Sequence, residues 1–152
     1  MGDIFNYSRP DKYIVSSSDL LNIGKTPVLT ANKAFVLGYT NESRTYNKKS
    51  IIFDDFTLDN KYVDFPYMVK SSAIKILEIK DINKDNLFFN FNLLNSTKLE
   101  VLGHARHYIS IVQPKIVLTT IMEEQEKIGM IFSQLDNLIT LHQRKRFINY
   151  SM

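Results

Sequence analysis

The sequence predicts an α+β fold: a mixed β-sheet with short helices over residues 1–121, then an amphipathic C-terminal helix over residues 122–152. Three observations predict it. Up to about residue 120, short runs rich in aromatic and β-branched side chains alternate with Gly, Asn and Asp turn residues. From Glu123 to about Ile148, apolar residues recur at steps of three and four. A chain of 152 residues, 44% of them hydrophobic and 12% aromatic, suffices for one packed domain and leaves little room for a second.

In chain order, Thr26-Pro27-Val28-Leu29-Thr30 and Ser50-Ile51-Ile52-Phe53 read as short strands. Ser72 to Ile79 reads as a longer one, with Ile74, Ile76 and Glu78 on one face. Gly24, Gly38 and Asn41-Glu42-Ser43 mark turns. The apolar stretch Asp85 to Leu94 suits a short helix capped by Asp85. Tyr108 to Val112 reads as a strand or as an extended lead-in to a helix, stopped by Pro114. Beyond Glu123, the residues Ile128, Ile131, Phe132, Leu135, Leu138, Ile139 and Leu141 make one helical stripe. Glu123, Glu124 and Glu126 open this helix and Arg144, Lys145 and Arg146 close it, both matching the helix dipole. Gly129 costs about 1 kcal/mol in a helix interior and admits close approach of a neighbour. Periodicity alone predicts that such a helix lies down on its own domain.

Composition narrows the function classes. The chain has no cysteine, which removes disulfides, zinc ribbons and thiol nucleophiles. No apolar run approaches the roughly 18 residues of a membrane span. Met1-Gly2-Asp3-Ile4-Phe5 lacks the blocks of a signal peptide. The expectation is a soluble cytoplasmic protein with no membrane partner. Net charge is +3 and unevenly spread. Residues 1–50 hold seven basic and four acidic side chains, whereas residues 51–100 hold six and eight. Basic surplus thus flanks an acidic middle, a pattern compatible with nucleic acid. No Gly-rich phosphate loop, nucleophile elbow or methyltransferase motif is present, so no cofactor is expected.

Four segments carry candidate chemistry. Glu78-Ile79-Lys80, with Asp54, Asp55, Asp59 and Asp64 upstream, has the residue types of a magnesium-dependent nuclease. That triplet recurs by chance, and a charged strand end accounts for it. Asp54-Asp55 between Phe53 and Phe56 suits acid–base chemistry, a turn cap, or acceptance of a cytosine amino group. His104-Ala105-Arg106-His107-Tyr108 places two imidazoles three apart, but no third metal ligand stands nearby. Arg106 there suits a phosphate or a bidentate contact to guanine. Lys48-Lys49, after Arg44 and Tyr46, reads as a phosphate-facing turn or as a solvated loop.

A further pattern joins these pieces. Glu123-Glu124-Gln125-Glu126-Lys127-Ile128-Gly129 is followed by Leu135-Asp136-Asn137-Leu138-Ile139 and then His142-Gln143-Arg144-Lys145. This order resembles the junction in type I restriction–modification specificity subunits, where a target-recognition domain ends and a spacer helix begins. Gly2-Asp3-Ile4-Phe5, Thr26 to Lys33, Gly38-Tyr39-Thr40, Phe53 to Thr57 and Gly103 to Ser110 resemble one recognition-domain type of that family. The resemblance implies a recognition domain over 1–121 and the start of a spacer or dimerisation helix over 122–152. The family enters that helix through a proline-rich stretch, where this chain has Ile116 to Met122. It also carries two recognition domains, which leaves a half-subunit, a recombining cassette and a truncated product open for this chain.

The resemblance also implies a non-catalytic role. The chain would read double-stranded DNA while modification and restriction subunits methylate adenine and cut. The DNA contacts it implies are Lys33, Arg44, Lys48, Lys49, His104, Arg106, His107 and Tyr108. Ile128, Phe132, Leu135 and Ile139 would bury against a partner helix, with Arg144 and Lys145 at the rim, in a homodimer or another helix pairing. The competing readings are a stand-alone DNA-binding domain, a restriction inhibitor that titrates modification subunits, and a metal-dependent nuclease.

Overall fold

Two adjacent residues of one strand, Ile51 and Ile52, define the layers of this fold. Both are fully buried, yet they belong to different hydrophobic clusters. Successive strand side chains point to opposite faces, so their sheet is covered on both sides. The computed structural model describes residues 1–101, 103 and 106–150, with side chains to residue 144.

The central sheet is antiparallel, in the order β1 (Phe5–Ser8), β7 (Ile74–Ile79), β4 (Ser50–Asp54) and β5 (Asn60–Val63). In it Leu77 pairs with both Ile51 and Tyr7, and Glu78 pairs with Asn6. A second sheet holds β3 (Val36–Thr40), β2 (Thr26–Leu29) and the two-residue β6 (Met68–Val69), with β2 and β6 parallel. One face of the central sheet, through Ile52, Val63, Ile74 and Ile76, packs against Leu29, Tyr46, Tyr67 and Val69. The other face, through Phe5, Ile51, Phe53 and Leu77, packs under Leu94, Tyr108 and Val112. The fold is α+β, with two sheets where the sequence suggested one mixed sheet. Burial on both faces explains the continuous apolar run Ile51-Ile52-Phe53 in β4.

Local chemistry sets the connections. Asp54 closes the β4–β5 turn, accepting from the amides of Phe56 at 2.8 Å and Thr57 at 3.1 Å. The helix α1 (Leu87–Ser96) is capped by Asn86, whose side chain accepts from the Phe89 amide at 2.9 Å, not by Asp85. Gly38 lies inside β3 and marks no turn. A Cβ there would stand 2.8 Å from the Leu20 Cβ, so the chain needs glycine for close approach. Tyr108–Val112 forms a π-helical turn, neither a strand nor extended. Its buried residues, Tyr108 and Val112, are four apart and drop into the same core cluster.

The helix α2 (Met122–Tyr150) has 29 residues. It does not lie down on the domain. Gln125 and Gly129 are buried and Ile128 is half-buried, but every side chain from Met130 to Arg144 is exposed. At 1.5 Å per residue, about 30 Å of helix extends past the last buried turn.

Candidate nucleic-acid interface

A buried polar knot holds the segment that carries Arg106. Asp55 follows β4, and its carboxylate accepts from the Tyr108 amide at 2.8 Å. The same carboxylate lies 3.6 Å from the Lys75 ammonium, and both side chains are almost wholly buried. Lys75 also donates to the Ser72 carbonyl at 3.0 Å. Burial holds the Lys75 ammonium below the usual lysine range, Asp55 opposes that shift, and nearby Arg106 and Arg9 reinforce it. The Asp55 carbonyl accepts from the His107 amide at 2.9 Å, and His107 Nδ1 lies 2.9 Å from the same oxygen. A carbonyl can only accept, so Nδ1 carries the proton in that contact.

This arrangement corrects two expectations. His107 and Tyr108 are buried, at 0% and 1% exposure, and present no surface to DNA. His107 is bound into the knot. Tyr108 stacks near Tyr7 and Phe53, with ring centroids 5.0 and 5.8 Å away. Burial, with a smaller contribution from Tyr7, pushes the Tyr108 phenol up to about 12. Asp55 is equally enclosed and cannot meet a base. The residue between the knot and the loop, Arg106, is exposed, and its carbonyl accepts from the Ser110 hydroxyl at 2.9 Å. His104 lies outside the described residues.

The other expected contacts separate into different places. Lys33 is exposed in the β2–β3 turn. Arg44 donates to the Ser16 hydroxyl at 2.6 Å and to Glu42 at 3.2 Å, bracing two loops. Lys48 and Lys49 are neighbours in sequence but face different grooves. Lys48 pairs with Glu78 at 3.3 Å, in a cleft of about 360 Å³ that Arg9, Lys12, Tyr13 and Tyr46 also line. Lys49 instead lines a groove beside α2 with Tyr62, Phe88, Glu126 and Asp136. The sequence reading missed Arg9 and Lys12. Their signal was the run Arg9-Pro10-Asp11-Lys12, where Asp11–Tyr13 forms a single 3₁₀ turn.

At the other end of the domain sequence, Gln125 joins α2 to the body. Its amide oxygen accepts from the Asn86 amide at 2.9 Å and from Asn90 Nδ2 at 3.1 Å. Its amide nitrogen donates to the carbonyls of Thr120 at 2.7 Å and Lys84 at 3.1 Å, and to the Thr119 hydroxyl at 3.2 Å. One turn on, Gly129 passes so close to the start of α1 that a Cβ would stand 3.4 Å from Asn86 Oδ1. The close neighbour of Gly129 is therefore a helix of the same chain. Past this joint Phe132, Leu135 and Ile139 are 41%, 48% and 54% exposed, and Arg144 is exposed. The Lys145 side chain lies outside the described residues.

Comparison with known proteins agrees with this layout. Residues 1–147 match the family described as the type I restriction modification DNA specificity domain. The chain is 36% identical, over 168 aligned positions, to the Escherichia coli type I restriction enzyme EcoR124I/EcoR124II specificity subunit. That alignment covers 99% of this chain and 42% of the relative, so the chain spans well under half of that protein. The match runs from β1 through the buried joint at Gln125 and Gly129 into the exposed helix, and on it the chain belongs to the type I restriction modification DNA specificity domain family.

Proposed function

We propose that this chain reads a DNA sequence for a type I restriction–modification assembly and performs no chemistry itself. Its β-rich body supplies one recognition domain, and modification and restriction subunits methylate and cut. The observation that carries this reading is the joint at Gln125 and Gly129. It fixes the base of α2 to the body, while the helix beyond Met130 keeps its apolar stripe exposed. A reading domain that must direct other subunits needs such a rigidly rooted, uncovered helix. The setting that fits these tasks is the cytoplasm. Among the described residues, no helix is long and apolar enough to cross a membrane.

The helix also supports pairing of two copies. Phe132, Leu135 and Ile139 form a stripe whose acidic end is Glu123, Glu124 and Glu126 and whose basic end is Arg144, Lys145 and Arg146. Antiparallel pairing sets each acidic end against the partner's basic end, and one patch then serves both copies. Two domains related by a two-fold axis read a split palindrome. The test is to express the chain with its modification subunit in cells lacking other methyltransferases and sequence the methylated sites. A palindromic split adenine motif is expected. No new methylation, with the complex intact, would reject the reading.

A further inference from the structure

The cleft that holds Lys48 carries a feature that phosphate binding does not explain. Its rim is mainly basic: Arg9 follows β1, Lys12 sits in the 3₁₀ turn beside Asp11, and Lys48 precedes β4. Its floor is not. Glu78, near the end of β7, presents a carboxylate whose side chain is 34% exposed. A carboxylate among three cations repels a phosphate, so a cleft built only for the DNA backbone would bind better without it. Glu78 forms an exposed ion pair with Lys48, at 3.3 Å, and Lys48 is 70% exposed. Exposed pairs of this kind contribute little, so Lys48 can leave for a phosphate at little cost. Asn6, the register partner of Glu78 on β1, is exposed on the same face. Tyr46 lines the same cleft beside Glu78, and burial together with the neighbouring Glu78 carboxylate pushes its phenol well up. The site thus combines a carboxylate acceptor, two aromatic walls at Tyr13 and Tyr46, and cations from two separate segments.

We propose that this cleft is a base-reading subsite in which Glu78 accepts a hydrogen bond from the exocyclic amino group of a cytosine or adenine, while Arg9, Lys12 and the displaced Lys48 hold the flanking phosphates. The inference rests on the DNA-reading function proposed above. Its chemistry follows from the major groove, where cytosine N4 and adenine N6 are the donors a carboxylate can accept from. It also divides the work as DNA interfaces do, with cations that position and one polar group that specifies. Glu78, which the sequence offered as a nuclease carboxylate, is on this reading a specificity residue.

The test uses the full chain assembled with its modification subunit and the duplex whose site the methylation map identifies. Binding is measured by fluorescence anisotropy at several salt concentrations, against that duplex, its single-base variants and an unrelated duplex. Glu78→Ala should leave binding to the unrelated duplex unchanged or tighter, and should lose about tenfold or more of the preference at a single base pair. Replacing that base by an analogue lacking the amino group should cost the wild-type complex the same factor. It should cost the Glu78→Ala complex nothing further. Whether the amino group belongs to cytosine or to adenine is read from which analogue acts. Arg9→Ala and Lys12→Ala should weaken all duplexes alike and lower the salt slope by about one each. A Glu78→Ala complex that shifts cognate and unrelated duplexes equally overturns the proposal, as does an analogue loss that adds to the substitution. A wild-type complex that does not discriminate between duplexes at all would instead reject the DNA-reading function itself.

Discussion

Replacing Gln125 by Ala should loosen α2 from the domain, and its cost can be worked from the contacts. Three backbone groups, the Asn86 amide and the carbonyls of Lys84 and Thr120, take their partner from this one side chain. An unmade bond at a partly buried group costs about 1 kcal/mol, so the sum is about 3 kcal/mol. For a domain of this size that corresponds to a Tm fall of roughly 6–12 °C, measured by calorimetry. Gln125→Glu provides the control. It keeps the acceptor oxygen for Asn86 but turns a second oxygen toward two carbonyls. Those carbonyls favour the protonated acid and so raise its folded pKa above the unfolded value. The stability of this variant should therefore be present at low pH and be lost as pH rises through that folded pKa. A fall below about 0.5 kcal/mol for Gln125→Ala would refute the reasoning, since that is the range of substitutions that touch nothing important. So would a Gln125→Glu variant with no recovery in acid.

Three further outcomes follow from the same geometry. Lys75→Met should cost about 3–5 kcal/mol in urea denaturation, because it strands the buried Asp55 carboxylate, and adding Asp55→Asn should restore much of the loss. Tyr108→Phe should be neutral at pH 7, since the buried Tyr108 Oη has no partner among the described residues. Because folding raises that phenol from 10.0 to about 12, its contribution is present below pH 10 and is lost as pH rises from 10 to 12; Tyr108→Phe should therefore lessen the alkaline loss of stability. Phe132→Asp with Leu135→Asp should abolish pairing in light scattering while leaving Tm within a few degrees, because both side chains are exposed in the single chain.

Much of this fold was legible because its signals are local. The runs at β2, β4 and β7 announce strands buried on two faces, and the three-four spacing after Glu123 announces α2. β5 and β6 were not legible: β5 contributes one buried residue, Val63, and β6 has two residues. Tyr108 to Val112 misled because β-branched composition suggests a strand, whereas what decides its shape is the four-residue step between its two buried members. The site suffered more, because its partners are distant in sequence. His107 looked like a surface imidazole, and it is buried by a carbonyl 52 positions away. Gln125 carried no signal beyond its place in the Glu123–Gly129 pattern, and it is buried with partners up to 41 positions away. Periodicity also predicted a helix lying on its own domain. It could not reveal that α1 occupies only the first two turns.

The two regions differ in how their residues are held, and this bears on how specificity can change. Arg9, Lys12 and Lys48 are exposed, and the ion pair between Lys48 and Glu78 at the cleft is exposed too. Substitutions at such positions stay within about 0.5 kcal/mol of neutral. Gln125 and Gly129 are buried, and a Cβ at Gly129 would lie in contact with Asn86 and Phe88 at the start of α1. The exposed side chains of the cleft can therefore change without unfolding the domain, whereas Gln125 cannot be lost without stranding the backbone groups it bonds. The break between the two regimes falls between adjacent residues. Lys48 turns toward Glu78 and Lys49 turns toward α2, because side chains alternate as the chain enters β4. One extended backbone thus separates a surface free to vary from a root that must stay fixed.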